Sequence, residues 1–320
     1  MNTVSQIARA VLYEGYLLWP YRRSALKNQH RFTIGGIYPA SYAATSGDRA
    51  SARFACLVEG RDARFELEVR FLHVVRRQAV RQGRAVDEVV ANGTRYLSWD
   101  EATERSVSAR ALAREAPLQV PIAISAGEVL ESFGEGVALR RSWAALSGRV
   151  DLDVVVLRDG LLRLSVEVLN TTPWDGTIRD EALRRTFASA HIAMNVEGAN
   201  FVSAIDPPAA LRDEAEGCRN EGLFPVLVGE EGQRRTILAA PVILYDYPQV
   251  APESPGDHFD GTEVDELLVH SILALTDEEK REIRDTDPRV REILERTSAL
   301  TPVELARLHG TMRERWTAER

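Results

Sequence analysis

The most constraining stretch of this chain is a pair of period-two segments joined by a two-residue turn. Val150, Leu152, Val154 and Val156 alternate with Asp151 and Asp153, and Leu162, Leu164, Val166 and Val168 alternate with Arg163, Ser165 and Glu167. Side chains on a strand point to opposite faces in turn, so each segment presents one apolar and one wet face. Between them lies Arg158-Asp159-Gly160. Asp-Gly supplies the positive φ that a tight hairpin requires. An antiparallel hairpin over 150–157 and 161–169 is therefore expected, with Leu152, Val154, Leu164 and Val166 buried.

Other segments extend the pattern. Phe65, Leu67, Val69 and Phe71 alternate with Glu66, Glu68 and Arg70. Residues 31–38, RFTIGGIY, read as a strand interrupted by Gly35-Gly36. His191–Val196 reads as turning through Gly198-Ala199-Asn200 into Phe201–Ile205, and Leu223–Val228 through Gly229–Gln233 into Thr236–Tyr245. Pro225 and Pro241 each remove a ladder donor, which places their strands at edges or bulges. Short strands at this spacing predict a mainly β fold, an antiparallel β-sandwich or open barrel.

Helices are expected at both ends. Ile7, Val11, Leu12 and Leu18 suit a short amphipathic helix within residues 5–18, weakened by Gly15 and broken at Trp19-Pro20. Thr276-Asp277-Glu278-Glu279 has the form of a capping box, and Asp287-Pro288 and Thr301-Pro302-Val303-Glu304 repeat the start signal. The expected organisation is an aromatic and basic N-terminal arm packing on the sheet (1–45), an antiparallel β domain (46–245), an acidic Pro/Gly-rich linker (246–262) and a short α-helical C-terminal region (263–320).

Charge narrows the function classes. With 40 basic and 48 acidic residues the chain carries a net charge of −8, which argues against nucleic acid as the main partner. Lys27 and Lys280 are its two lysines, so the basic residues are almost all arginine and an Arg-rich stretch is weak evidence of anion recognition. The first ten residues lack the layout of a signal peptide, and no apolar run approaches a bilayer span. A cytoplasmic location without a membrane span is expected. Cys56 and Cys218 should then be reduced and unpaired.

Standard catalytic motifs fail on inspection. No GxxxxGK[ST], HExxH, GxSxG or CxxC is present, and Leu139 stands where a dinucleotide loop begun by Gly134 and Gly136 needs its third glycine. No cofactor and no catalytic residue is expected from the sequence. Pairing of Cys218 with His191 as a nucleophilic couple is conceivable; the plainer expectation for Cys218 is a buried small hydrophobe.

Two charged stretches remain. Asp246, Glu253, Asp257, Asp260, Glu263, Asp265 and Glu266 occur with His258 and His270 in a tract, Thr236–Thr276, without Lys or Arg. Within it Asp257, His258, Asp260 and Glu263 are candidate metal ligands; a solvated loop and a site for a basic protein are the competing readings. The arm is the mirror image. Tyr16, Trp19, Tyr21, Arg22, Arg23 and Lys27 combine aromatics with positive charge, which suits a protein partner, internal packing on the sheet, or a small anion. If the two stretches pair, Arg22 or Arg23 should lie near Asp257, Asp260 or Glu263.

Four stretches carry a family resemblance: LLWPYRRSALKNQHRFTIGGIYP (17–39), VEVLNTTPW (166–174), AIDPPAALRDEAEGCRNEGLFPVLVGE (204–230) and ILYDYPQVAPESPGDHFDGTEVDELL (243–268). Together they resemble an uncharacterised family encoded in uptake NiFe-hydrogenase gene clusters, mostly of actinobacteria, over about residues 10–310. The resemblance implies an accessory role, with a hydrogenase subunit or maturation factor as protein partner. It does not imply hydrogenase catalysis, which needs paired CxxC motifs that this chain lacks. A metal-binding β-sandwich protein or enzyme using segment 246–266, and a structural or interaction module unrelated to hydrogenase, are the alternatives.

Overall fold

The structure is a computed structural model that describes residues 3–13, 21, 28, 34–249 and 265–301. In chain order it holds helix α1 (Thr3–Tyr13), helix α2 (Ala40–Ser46) and strands β1 (Ser51–Glu59), β2 (Arg64–Arg81), β3 (Arg84–Val86), β4 (Glu88–Ala91), β5 (Thr94–Leu97), β6 (Trp99–Leu112), β7 (Leu118–Ile124), β8 (Gly127–Gly134), β9 (Val137–Trp143), β10 (Leu146–Arg158) and β11 (Leu161–Asn170). Then come α3 (Arg179–Leu183), β12 (Ala188–Glu197), β13 (Asn200–Phe201), α4 (Arg212–Glu216), β14 (Phe224–Leu227), β15 (Thr236–Ala240), α5 (Asp265–Leu273), α6 (Asp277–Thr286) and α7 (Pro288–Ser298). The fold is mainly β and antiparallel, with a half-barrel and short C-terminal helices.

The expected hairpin is present. β10 and β11 pair from Gly148↔Asn170 to Arg158↔Leu161, and Gly160 takes φ 74° in the turn. Leu152, Leu164 and Val166 are buried as expected, whereas Val154, beyond the stretch of β10 that pairs with β7, is only partly covered. This hairpin sits in a five-stranded sheet of order β13-β1-β11-β10-β7.

The second sheet is organised by β2, which is 18 residues long. Along one edge β2 pairs with β12 over residues 64–72 and then with β9 over 76–81. Along the other it pairs with β6 over 64–77 and then with β3 over 79–81. Phe65, Leu67, Val69 and Phe71 of its first half join Ile192, Met194 and Val196 of β12 in a core shared with Phe54, Cys56, Leu152, Leu164 and Val166 of the first sheet. Each such side chain contributes about 1.5–3 kcal/mol by leaving water. Phe71 packs on Phe187 with ring centroids 4.7 Å apart.

The outer face of the second sheet is covered by helices. Ile7, Ala8 and Val11 of α1 pack on Val226, Val228, Leu238 and Ala240. Leu12 and Tyr13 join Leu72, Ala102 and Ala188 with Ile272, Ile283, Val290, Ile293 and Leu294, so α5–α7 share a core with the sheet. The start signals act as expected: Thr276 and Glu279 form a reciprocal capping box, and the Asp287 side chain accepts from the Arg289 amide with Pro288 in the first turn.

Two expectations are corrected. Ile37 makes isolated bridges to Phe187 and Arg49 and Gly35 turns the chain at φ 68°, so the described part of 31–38 is not a strand. β12 and β13 do not form a hairpin. β12 pairs with β2 and β15, while β13 crosses to the first sheet and pairs with β1, because Phe201 belongs to the core between the sheets. β14 and β15 do pair antiparallel, with Pro225 on an edge strand. Residues 302–304 of the last start signal lie outside the described residues.

Candidate functional site

Beyond the apolar core, β2 changes character. Positions 73, 75, 77 and 79 continue the face that carries Phe65–Phe71, yet this register now holds His73 and Arg77. A charged group in a buried register must find partners. Arg77, 6% exposed, donates from Nε to the Leu97 carbonyl (3.0 Å) and from Nη1 to Glu101 (3.3 Å). Glu101 also accepts from Arg141 Nε (2.6 Å), and Arg141 Nη1 reaches Glu131 (2.8 Å). Arg77, Glu101, Arg141 and Glu131 thus form a chain of alternating charge across β2, β6, β9 and β8.

The opposite face of β2 builds a second network. Glu181 on α3 accepts from Arg76 (2.7 Å), Arg184 (2.6 Å) and Arg185 (3.0 Å), and Arg184 also donates to Asp100 (2.7 Å). Burial opposes ionisation of Glu181, but the three guanidinium groups outweigh it and hold the carboxyl below the usual range. Asn170 fixes the loop leading to α3: its amide donates to the carbonyls of Ile37 (2.8 Å) and Arg185 (2.7 Å), and its oxygen accepts from the Thr172 amide (2.9 Å).

These networks border a cleft of about 1320 Å³. Arg76, Arg77, Gln78 and Asp100 line one side, the β4–β5 hairpin contributes Glu88, Thr94 and Arg95, and the far wall is α6–α7 with Glu278, Arg281, Glu282, Arg284, Asp285, Arg291 and Glu295. The hairpin is shaped by Asn92-Gly93, both at positive φ (51° and 75°), the geometry of a tight two-residue turn. Ser98 ties it to the sheet, donating to Val86 O (2.6 Å) and accepting from Ala79 N (2.9 Å). Arg95 is bound to Glu88 through Nε (2.8 Å) and Nη2. Arg291 caps the end of α6 by donating to the Arg284 carbonyl (3.0 Å from Nε). Burial raises the Asp285 carboxyl above its ordinary range, against the pull of Arg95 and Arg291. A cleft larger than the usual 300–1,000 Å³ of a small-ligand pocket, with mixed charge on every wall, suits a charged polypeptide segment more than an apolar molecule.

Of the sequence-identified partner-binding residues, Tyr21 alone is among the described ones. It is 1% exposed and packed with Tyr13, Leu12 and Ile293, so its ring serves the interior and not the surface. Tyr16, Trp19, Arg22, Arg23 and Lys27 lie outside the described residues, as do Asp257, His258, Asp260 and Glu263, and with them the expected pairing of the two charged stretches. Asp246 is a structural tie: it accepts from the Leu227 amide (2.8 Å) and Ser203 Oγ (2.5 Å). Among the described residues no group of three or more His, Cys, Asp or Glu could hold a metal ion.

Cys56 and Cys218 are free thiols. Burial pushes Cys56 far above the ordinary thiol range, and Cys218 is raised by burial despite nearby Arg163. Cys218 packs against Leu57, Leu161 and Leu211 and directs Sγ to Glu214 O (3.9 Å), whereas His191 lies on β12 with Nδ1 3.2 Å from Ser189 O; the two form no couple. His73 and His191 are both fully buried, and burial depresses each to about 4.

The cleft residues escaped the sequence reading, although one signal was available: Arg77 falls on the same alternation as Phe65–Phe71. Among the described residues no helix is long and apolar enough to cross a membrane. No family model and no curated protein sequence matches the chain.

Proposed function

We propose that this chain is an accessory, non-catalytic protein that acts in the cytoplasm to support assembly or maturation of an uptake NiFe-hydrogenase, by binding a hydrogenase subunit or a maturation factor. The observation that carries a binding role is the cleft. Its walls alternate in sign, and Glu88 and Asp100 are already neutralised by arginines, which suits recognition of a charged surface more than acid–base work. The hydrogenase system enters through the resemblance of stretches 17–39, 166–174, 204–230 and 243–268. Free thiols at Cys56 and Cys218 agree with a reducing compartment.

The test is co-expression with each hydrogenase subunit and each maturation factor in turn, followed by size-exclusion chromatography. One of them should co-elute, and the Arg95→Gln, Arg281→Gln double variant should weaken that complex at least tenfold while keeping the circular dichroism spectrum of the folded chain. Elution of the chain alone in every combination overturns the proposal.

A further inference from the structure

β8 ends the second sheet and, among the described residues, pairs only with β9. Among the described residues its outer amides and carbonyls find no backbone partner. Glu128 to Ser132 are exposed without interruption, so both faces of the strand are open, and Val129 (53%) and Leu130 (56%) stand on opposite faces. The strand is nevertheless fixed at both ends. Phe133 stacks on Tyr96 at 4.9 Å, and the Trp143 indole, anchored by its bond to Ser125 O (3.0 Å), crowds Gly127. An open edge that is fixed at both ends and carries two exposed apolar side chains is a template for another strand. β6 also has an edge without a ladder partner, but its exposed positions are Thr103, Glu104, Ser106, Ser108 and Arg110.

We infer that β8 is a strand-addition site that takes an extended segment of a partner polypeptide, with two adjacent apolar residues flanked by basic ones. The inference rests on the binding role proposed above. Charge selects this occupant over a second copy of the chain. Antiparallel self-pairing that sets Val129 opposite Leu130 also sets Glu128 opposite Glu131 twice, and like charges directly opposite destabilise a ladder. Lysine or arginine at those two places in a partner turns the repulsion into attraction. Glu131 is held by Arg141 (2.8 Å) and Glu128 lies 3.6 Å from Arg140, yet the two carboxylates remain 49% and 57% exposed. Main-chain bonds along the strand would supply affinity, and the flanking charges selectivity. A strand already held in place by β9 loses little freedom on binding.

The probe is a synthetic octapeptide with two central β-branched apolar residues flanked on each side by lysine, added to the full chain. Amide hydrogen exchange at 128–132 should slow at least tenfold. A peptide with glutamates for lysines should bind at least tenfold more weakly. The Val129→Lys, Leu130→Lys double variant should lose binding at least tenfold with an unchanged melting temperature. Protection elsewhere, equal binding by the variant, or concentration-dependent protection of β8 without peptide (the mark of self-pairing) overturns the inference. The two proposals separate cleanly. A hydrogenase partner that co-elutes equally with wild type and variant sinks the β8 site alone, whereas peptide binding without any co-eluting hydrogenase component sinks the hydrogenase reading alone.

Discussion

The two halves of β2 are one strand put to opposite uses. From Phe65 to Phe71 its inward side chains are apolar and meet the other sheet in a dry layer. From His73 to Arg81 the same register carries an imidazole and a guanidinium, and the strand borders the charged cleft. The dry half needs only shape and area. The wet half needs each buried charge satisfied by geometry, because an unpaired one costs several kcal/mol. Stability is therefore concentrated in the first half and surface chemistry in the second, and the boundary falls at Leu72–His73.

The sharpest way to break this contrast is Phe71→Ala. Phe71 is fully buried against Phe187, and its truncation should cost about 3–5 kcal/mol in chemical denaturation. A loss under 1 kcal/mol would mean that the core does not rest on this half.

The boundary itself should be visible as a pH dependence. His73 and His191 are neutral in the fold with pKa values near 4, below the ~6.5 of an unfolded histidine. The unfolded chain takes up these protons first, so their contribution is complete above about pH 6.5. It declines as pH falls towards 4, by about 1.4 kcal/mol per pH unit for each residue. Replacing His73 with Phe should remove about half of that slope. Stability that rises as pH falls through this window, or an unchanged slope in the variant, would place the imidazole in water.

The same contrast explains what was legible. The first half of β2 and the β10–β11 hairpin were readable because alternation and Asp159-Gly160 are local signals. The strands of residues 82–145 were less legible, since β6 fully buries only Ala102 and Ala111 and its alternation over 106–111 rests on one valine and two alanines. Asn92-Gly93, between Val89-Val90-Ala91 and Tyr96-Leu97, was a legible hairpin turn, though nothing local shows that the hairpin borders a cleft. The crossing of β13 to the first sheet, with Phe201 in the shared core, is decided by long-range packing that a loop sequence does not encode. Likewise the cleft assembles Arg95, Asp180 and Asp285 from a hairpin and two helices distant in sequence. Arg77 was the exception, detectable by register alone.

In the wet half, Arg77→Ala should cost about 1–3 kcal/mol, less than an isolated buried pair because Glu101 keeps Arg141 at 2.6 Å. Replacing both Arg77 and Glu101 with apolar residues of similar volume should cost less than the sum of the single changes, measured by a double-mutant cycle in urea. Additive losses would show that the two side chains act independently and that the charge chain is incidental.

The smallest effect belongs to neither half. Arg61 and Asp159 are ion-paired at hairpin ends of the sandwich, with side chains 72% and 74% exposed. Two long or mobile groups in water gain little Coulomb energy and lose side-chain freedom, so such pairs contribute about 0–1 kcal/mol. Arg61→Ala should therefore move the melting temperature by no more than about a degree or two, and added salt should screen away even that difference between variant and wild type. The matching change in the wet half, Arg77→Ala, keeps its cost in high salt because its partner is 17% exposed and poorly reached by counterions. If the two variants respond alike to salt, the second half of β2 is as open to water as the hairpin tips, and the division of the strand into a dry and a charged half does not hold.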